Sequence, residues 1–440
     1  MDLINKARSS LVDSQQIGLG LKPAEIFAQL SPTRVGEVDR RYLSEVLDAG
    51  FHNTADPANI FARFESAFAK RFGVRYAILH NSGTGTMQSC LLARGIGPGD
   101  EVIVPSLTAI ATAFVVLQCG AVPVFADIDP RTFNIDAADA ERKINEYTKA
   151  IIPVSLYGLA PDYDEIMGLA QRHDLTVIED NAECFLGTYK GRLVGTIGHA
   201  ASFSFQASKH MTSGGDGGIV ICDEEDFARN IRKRGAAGFR TLSAKPGDVF
   251  VPRDIRQDWA FERHDVMGYN FRMSAVQAAL GLAQFERLDY LVAARRYIAE
   301  QYEAVIRDEK CDWLITPFVP DYCTHTYWAY VCRLDEQKLG TDWRTFRKAF
   351  IDRGGDGLYA PWRPVHLEPV FANLAFYGRP EQAPNFDPRY KGNVKRYQKG
   401  DCPVCESLQP RLCAFKTSMQ TLERVEQQVE ALRKTIRYFA

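Results

Sequence analysis

No stretch of the 440 residues is apolar for long enough to cross a membrane, and the N-terminal MDLINKARSSLVDSQQIGLG has no apolar core of signal-peptide type. Both absences point to a cytoplasmic protein. Charge of one sign is lacking as well: 53 Lys and Arg stand against 55 Asp and Glu, a net charge of -2. A chain so balanced has no electrostatic footprint for nucleic acid or an anionic membrane surface. Internal repeats and low-complexity tracts are missing too, so nothing suggests a solenoid or a disordered tail.

Cysteine is present, ten residues of it, but in no pattern. Scattered thiols in a reducing compartment are expected to stay free and pack as small hydrophobes. Cys402-Pro-Val-Cys405, with Cys413 following, is the one group that invites more. No second CxxC or HxxxH supplies the other ligands of a zinc site. The preceding YKGNVKRYQKGD is polar, not the strand end where a redox pair sits. Metal and redox roles are therefore not expected.

What is present is an ordinary globular composition, 46% apolar and 25% charged, long enough for two or three domains. Strand-like and helical patterns alternate along the first two thirds. YAILH (76–80), EVIVP (101–105), VPVFADID (122–129), KAIIPVSLYG (149–158) and LTVIEDN (175–181) read as strands. SGTGTMQSCLLARGI (82–96), TAIATAFVVLQCG (108–120) and residues 162–173 read as helices between them. Near-continuous apolar strands joined by helices predict a mainly parallel α/β sheet covered on both faces. Such sheets take ligands beyond the carboxyl ends of their strands. From Met273 a single long helical pattern leads into an α+β region that closes with the amphipathic LERVEQQVEALRKTI. The expected divisions are residues 1–50, an N-terminal extension and first helix, 51–290, a large domain, and 291–440, a small C-terminal domain.

Three features fall at predicted strand ends. Asn81-Ser82-Gly83-Thr84-Gly85 is a small-residue turn opening a helix, where free N–H groups and the helix dipole favour an anion. It is neither a dinucleotide fingerprint, lacking the third glycine, nor a P-loop, lacking Gly-Lys-Ser/Thr; a plain tight turn is the ordinary alternative. Glu179-Asp180 closes LTVI, and since neighbouring strand residues face opposite ways, only one can look into a given site; capping a following helix is the alternative use. The third is SFSFQASKHMTSGGDGG (202–218), where Lys209 lies between an alternating Ser/Phe run and a glycine cluster. The alternation predicts a half-buried strand whose serine face meets something polar, and the glycines allow close approach of another group. An anion cradle, a strand-end carboxylate and a lysine are the parts that hold pyridoxal 5'-phosphate: the cradle for its phosphate, the carboxylate for its ring nitrogen, the lysine for its aldehyde.

With SGTGTM (82–87), GPGDEVIVPSLT (97–108), GAVPVFADID (120–129), VIEDNAECFLGTYKGRLVGTIG (177–198), GYNFRMSAVQAALGLAQ (268–284) and CPVCESL (402–408) beside that stretch, the chain resembles the DegT/DnrJ/EryC1/StrS aminotransferases over residues 31–440. The resemblance implies the type I, aspartate-aminotransferase-like fold of pyridoxal-phosphate-dependent transferases. It also implies a homodimer with a shared active site, and transfer of an amino group from L-glutamate or L-glutamine to a keto group on a nucleotide-linked sugar or a cyclitol. By it, Lys209 bonds the cofactor and shuttles protons, Asp180 pairs with the ring nitrogen, and Glu183 lies near the phenolic oxygen. Gly83, Thr84, Gly85 and Ser204 hold the phosphate, and Asn270 reaches the other subunit's cofactor. The chain departs from the family at Asp216, where Glu is usual, and at Asn181, where a small apolar residue is common. It departs again at Ala109, where an aromatic ring normally covers the cofactor and where Phe114 or Tyr157 is the candidate substitute. Relatives with histidine for the lysine are sugar dehydratases; Lys209, followed by His210, favours transamination over a dehydratase or a catalytically silent protein of the same fold. The cations of residues 237–265 (Arg240, Lys245, Arg253, Arg256, Arg263) are offset by Asp248, Asp254, Asp258, Glu262 and Asp265, so that segment is expected to be a solvated loop, not a diphosphate grip.

Overall fold

The computed structural model describes residues 20–50, 59–245, 251–358 and 362–440. Its strands form where the apolar runs lie. β1 (Tyr76–His80), β2 (Glu101–Pro105), β3 (Val122–Ala126), β4 (Thr148–Ile151) and β5 (Thr176–Asp180) are followed by two short strands, β6 (Thr188–Tyr189) and β7 (Arg192–Leu193), then β8 (Ala200–Ser204) and β9 (Gly218–Cys222). Seven of them build one sheet in the order β1-β9-β8-β5-β4-β2-β3. β2, β3, β4, β5 and β8 pair in parallel, whereas β9 is antiparallel to both β8 and β1. β1 consequently runs with the parallel strands. The carboxyl ends of β1, β5 and β8 and the start of β9 thus share one edge of the sheet.

Helices cover both faces because the strands carry apolar side chains on both. In β1, Tyr76 and Ile78 enter one core with Met87, Leu91, Val116 and Phe227, while Ala77 and Leu79 enter another with Phe64, Phe68 and Ala278. β8 is therefore buried along its whole length, not half-buried as its alternation suggests. Phe203 packs against Phe68, and the Ser202 hydroxyl bonds to Thr86 on the helix Gly83–Ala93, which is buried nearly all round.

The predicted long helix from Met273 is two, Ala275–Phe285 and Leu288–Asp308. It breaks at Arg287, whose backbone is non-helical and whose guanidinium pairs with the buried Asp39 at 2.6 Å. Beyond it, β10 (Leu314–Ile315), β12 (Ala329–Leu334) and β13 (Leu412–Lys416) form a second, three-stranded sheet, while β11 (Cys323–Thr324) pairs with β6. Ile298, Tyr302, Phe346, Phe415 and Leu432 centre its core, and Ile26 and Phe27 of the helix Pro23–Phe27 pack into it; residues 1–19 of the expected extension lie outside the described residues.

Cys402 and Cys405 are buried at the start of the helix Pro403–Leu408, and burial pushes both thiols up, far from a reactive thiolate. The N–H groups of Val404 and Cys405 donate to the Asp127 carboxylate, each at 2.8 Å. Among the described residues no three His, Cys, Asp or Glu gather to hold a metal, and no helix is long and apolar enough to cross a membrane.

Candidate active site

At the end of β1 the chain turns through Ser82, whose Oγ accepts from Gly85 N at 3.1 Å and caps the helix Gly83–Ala93. Glycine is required here for space. A Cβ on Gly83 would lie 2.8 Å from Ser204 Cβ, and one on Gly218 would lie 2.8 Å from the Ser82 carbonyl. β8, β9 and the helix start thus close on one another, bringing Gly83, Thr84, Gly85 and Ser204 to one place with the positive end of the helix dipole.

At the end of β5 the two carboxylates part, as strand geometry demands. Glu179 Oε1 accepts from Ile197 N at 2.7 Å and Gly198 N at 2.6 Å, and Oε2 from Gly195 N at 2.7 Å and Asn181 Nδ2 at 3.3 Å. Those four bonds fill a carboxylate's acceptor capacity. Among the described residues Asp180 accepts from two, Thr112 Oγ1 at 2.9 Å and Ala182 N at 3.1 Å. Neither caps a helix. Burial pushes the Asp180 pKa up, against the pull of Ala182, Thr112 and the Lys209 charge.

Lys209 sits on a turn closed by its own N–H bonding to Gln206 O at 2.9 Å. The side chain is not on the surface: the residue is 8% exposed, and Nζ donates to Glu183 Oε1 at 3.0 Å. Glu183 Oε2 accepts from Tyr157 N at 3.0 Å; burial raises the Glu183 pKa and the Lys209 charge opposes it. The Trp328 ring lies 4.6 Å from Nζ. Burial, then the Arg295 charge, holds the pKa of the neighbouring His210 well below its usual value. Its Nε2 is within 2.9 Å of Thr326 O.

Ala109 follows Thr108 and lies two residues before the helix Ala111–Gln118. Neither ring named as a substitute is idle. Phe114 stacks on Phe371 at 5.8 Å, and Tyr157 lies parallel to Trp328 and Trp362 at 6.4 and 6.0 Å. The ring found against Lys209 is Trp328, which sequence reasoning missed. It missed Thr112, Arg34 and Arg295 as well, and of these only Arg295, an arginine at an apolar helical position, left a signal.

Asn81, Ser82, Asp216, Asn270, Arg272 and Gln277 border an open groove of about 650 Å³. It adjoins the helix start but is not lined by Lys209 or Asp180. Asn270 is exposed, and its carbonyl accepts from Asn81 Nδ2 at 3.3 Å. In the segment 237–265, Arg240 pairs with Glu262 at 2.6 Å, and Trp259 is 93% exposed. The described part of the segment holds the short helix Arg253–Gln257, and residues 246–250, Asp248 among them, lie outside the described residues.

The residues present fit pyridoxal 5'-phosphate. Asp180 has spare acceptor capacity, Lys209 offers a buried amine, and the glycine cradle has no room for a Cβ. Comparison with known proteins finds aminotransferases. The model of the DegT/DnrJ/EryC1/StrS aminotransferase family matches residues 34–414. GDP-perosamine synthase of Caulobacter vibrioides is 39% identical over 337 residues, covering 77% of this chain and 85% of that protein. L-glutamine:2-deoxy-scyllo-inosose aminotransferase of Streptomyces lividus is 37% identical, covering 68% and 69%. The structure of an aminotransferase from Psychrobacter cryohalolentis superposes with a TM-score of 0.77 at 28% identity, covering 90% of this chain and 96% of that one.

Proposed function

The chain belongs to the DegT/DnrJ/EryC1/StrS aminotransferase family, and from that premise we propose that it moves an amino group from L-glutamate or L-glutamine to a keto group on a nucleotide-linked sugar or a cyclitol. The observation that carries this reading is the buried Lys209 amine, bonded to Glu183 beside a half-satisfied Asp180 at the carboxyl edge of the sheet. The relatives named for GDP-perosamine and for an inosose support the acceptor class.

Pyridoxal 5'-phosphate, when bound, supplies the electron sink for the charge left as the donor's Cα proton departs. Lys209 holds the cofactor at rest. Its Nζ then takes the donor's Cα proton as a base and later returns a proton as an acid. Glu183 Oε1 orients that amine. Asp180, supported by the Thr112 hydroxyl and the Ala182 N–H, would hold the ring nitrogen as a carboxylate. Gly83, Thr84 and Gly85 offer the helix start to the phosphate, and the Ser204 hydroxyl adds a further bond. Asn270 reaches the phosphate held by the neighbouring subunit of a homodimer. Ala109, which carries no ring, would leave a bulky acceptor room beside the bound cofactor. The cofactor belongs to a large domain, residues 51–290, backed by a small one, 291–440, in a cytoplasmic enzyme.

Borohydride should fix the cofactor to Lys209 and bleach the yellow protein; a peptide map placing the adduct elsewhere sinks the assignment. Protein converted to its amine form should then transfer nitrogen to members of a panel of ketosugars and ketocyclitols. Transfer to 2-oxo acids alone would overturn the acceptor class.

A further inference from the structure

The turn carrying Lys209 has four consecutive carbonyls, Ala207 to His210, and each is taken by a side chain from a distant part of the chain. Arg34 donates to Ala207 O through Nη1, and through Nη2 to Lys209 O at 2.9 Å and His210 O at 3.1 Å. Arg295 Nη2 donates to Ser208 O and Lys209 O, both at 3.1 Å, and Trp328 Nε1 to Ser208 O at 2.9 Å. The guanidinium bonds are charge-assisted and roughly twice as strong as neutral ones, and the planar fork holds several acceptors at once.

Arg34 reaches the turn from a strained position. Its φ is +64°, a left-handed conformation uncommon for a residue with a side chain. The surroundings enforce it: Arg34 N bonds to Ser31 O at 2.8 Å, and Arg34 O accepts from Gln284 Nε2 at 2.6 Å. Gln284 also bonds to Asp39 at 2.9 Å. Arg34 Nε is buried with no partner among the described residues, a cost the site bears while the two terminal nitrogens are bonded. Strain and an unmet donor, both at one residue aimed at the reactive turn, are what a functional constraint leaves behind.

We propose that Arg34 is a positioning residue for Lys209: its guanidinium fixes the carbonyls of residues 207, 209 and 210, which orients the lysine amine, and its charge sets part of the field there. The charged and titratable groups around that amine are Glu183 at 3.0 Å, the buried Asp180, the two guanidinium groups on the turn, and His210. The proposal rests on Lys209 being the reactive amine, which the borohydride map tests separately.

The test uses Arg34→Met, Arg34→Lys and, as a control, Arg232→Met, which breaks the buried Arg232–Glu65 pair (2.8 Å) away from the turn. Each is purified with pyridoxal 5'-phosphate bound and compared by thermal unfolding, donor kinetics and pH titration of the visible band. Removing a nearby cation stabilises the protonated form, so Arg34→Met should move the band's midpoint up by roughly half a pH unit or more. It should also lower kcat by about tenfold or more while the donor KM changes by less than about threefold. Arg34→Lys should restore the midpoint but not kcat, because one ammonium cannot span three carbonyls. Arg232→Met should lose thermal stability and keep the midpoint. A folded Arg34→Met with unchanged midpoint and kcat overturns the proposal, as does an equal midpoint shift in Arg232→Met. If Arg34→Met does not fold, Arg34→Lys decides: a low kcat at the parent midpoint supports the proposal, and the parent kcat overturns it.

Discussion

Replacing Thr112 by Val removes one hydroxyl and nearly keeps the side chain's shape, which isolates what holds the buried Asp180 in its charged form. Among the described residues the carboxylate accepts from Thr112 Oγ1 at 2.9 Å and Ala182 N at 3.1 Å. Burial raises its pKa, and those bonds pull the other way. A hydrogen bond to a charged group contributes about 1.5–3 kcal/mol. Its loss should therefore raise the Asp180 pKa further, because the hydroxyl favours the charged carboxylate over the neutral acid.

An acid whose folded pKa lies above its unfolded value of about 3.9 binds more protons folded than unfolded between the two. Such a group costs stability as pH rises through that window, and Thr112→Val extends the window upward. Cofactor-free protein should therefore lose about 1.5–3 kcal/mol where the carboxylate is charged, tested at about pH 8. At about pH 3 or below, where the carboxyl is largely protonated both folded and unfolded, the loss should shrink to the ~1 kcal/mol of a neutral hydrogen bond. Thr108, whose hydroxyl lies 2.9 Å from that of Thr112, loses its acceptor too, but that cost is the same at both pH values. Urea unfolding at fixed protein concentration gives both numbers, with the slope checking that unfolding remains two-state. An equal loss at the two pH values, or none at the higher one, refutes the reasoning.

Three further outcomes are expected. Ala109→Phe should hold the cofactor about two- to tenfold more tightly in dialysis, from the 0.5–1.5 kcal/mol of a stacked ring, while the acceptor KM rises; a fall in retention would show that another ring already covers that face. Gly83→Ala, whose Cβ would lie 2.8 Å from Ser204 Cβ, should weaken cofactor binding by about tenfold or more, and parent affinity would refute the cradle. Mixing inactive Lys209→Ala with Asn270→Ala subunits should recover part of the lost activity, because a heterodimer then contains one site free of both changes. Proven subunit exchange without recovery would count against a shared site.

The strands were legible because burial on both faces leaves a continuous apolar run with sharp ends, as YAILH and EVIVP show by matching β1 and β2 residue for residue. SFSF misled for a related reason: alternation promises one polar face, but here the serine side meets the buried helix Gly83–Ala93. The glycines at 83 and 218 could be read because a missing side chain leaves a mark in the sequence wherever two backbones meet. Contacts on the lysine turn leave no such mark. Arg34 lies 175 residues from Lys209, Arg295 86, and Trp328 120 from Ser208, separations that no local period encodes. Arg295 is the partial exception, since a cation three residues after Val292 and three before Ile298 stands on a buried helical face.

Glu179 and Asp180 show where local reading stops and acceptor capacity takes over. Pleating requires that the two face opposite ways, and it says nothing about which faces the ligand. The fold decides by what it offers each carboxylate. The loop 195–198 and Asn181 fill all four acceptor positions of Glu179, so that side chain is spent on holding backbone. Asp180 is buried too, yet carries one bond on each oxygen. A buried carboxylate left half-satisfied is costly unless a donor arrives, and a protonated ring nitrogen is such a donor. Cofactor binding should therefore stabilise this protein through Asp180 and leave Glu179 unchanged.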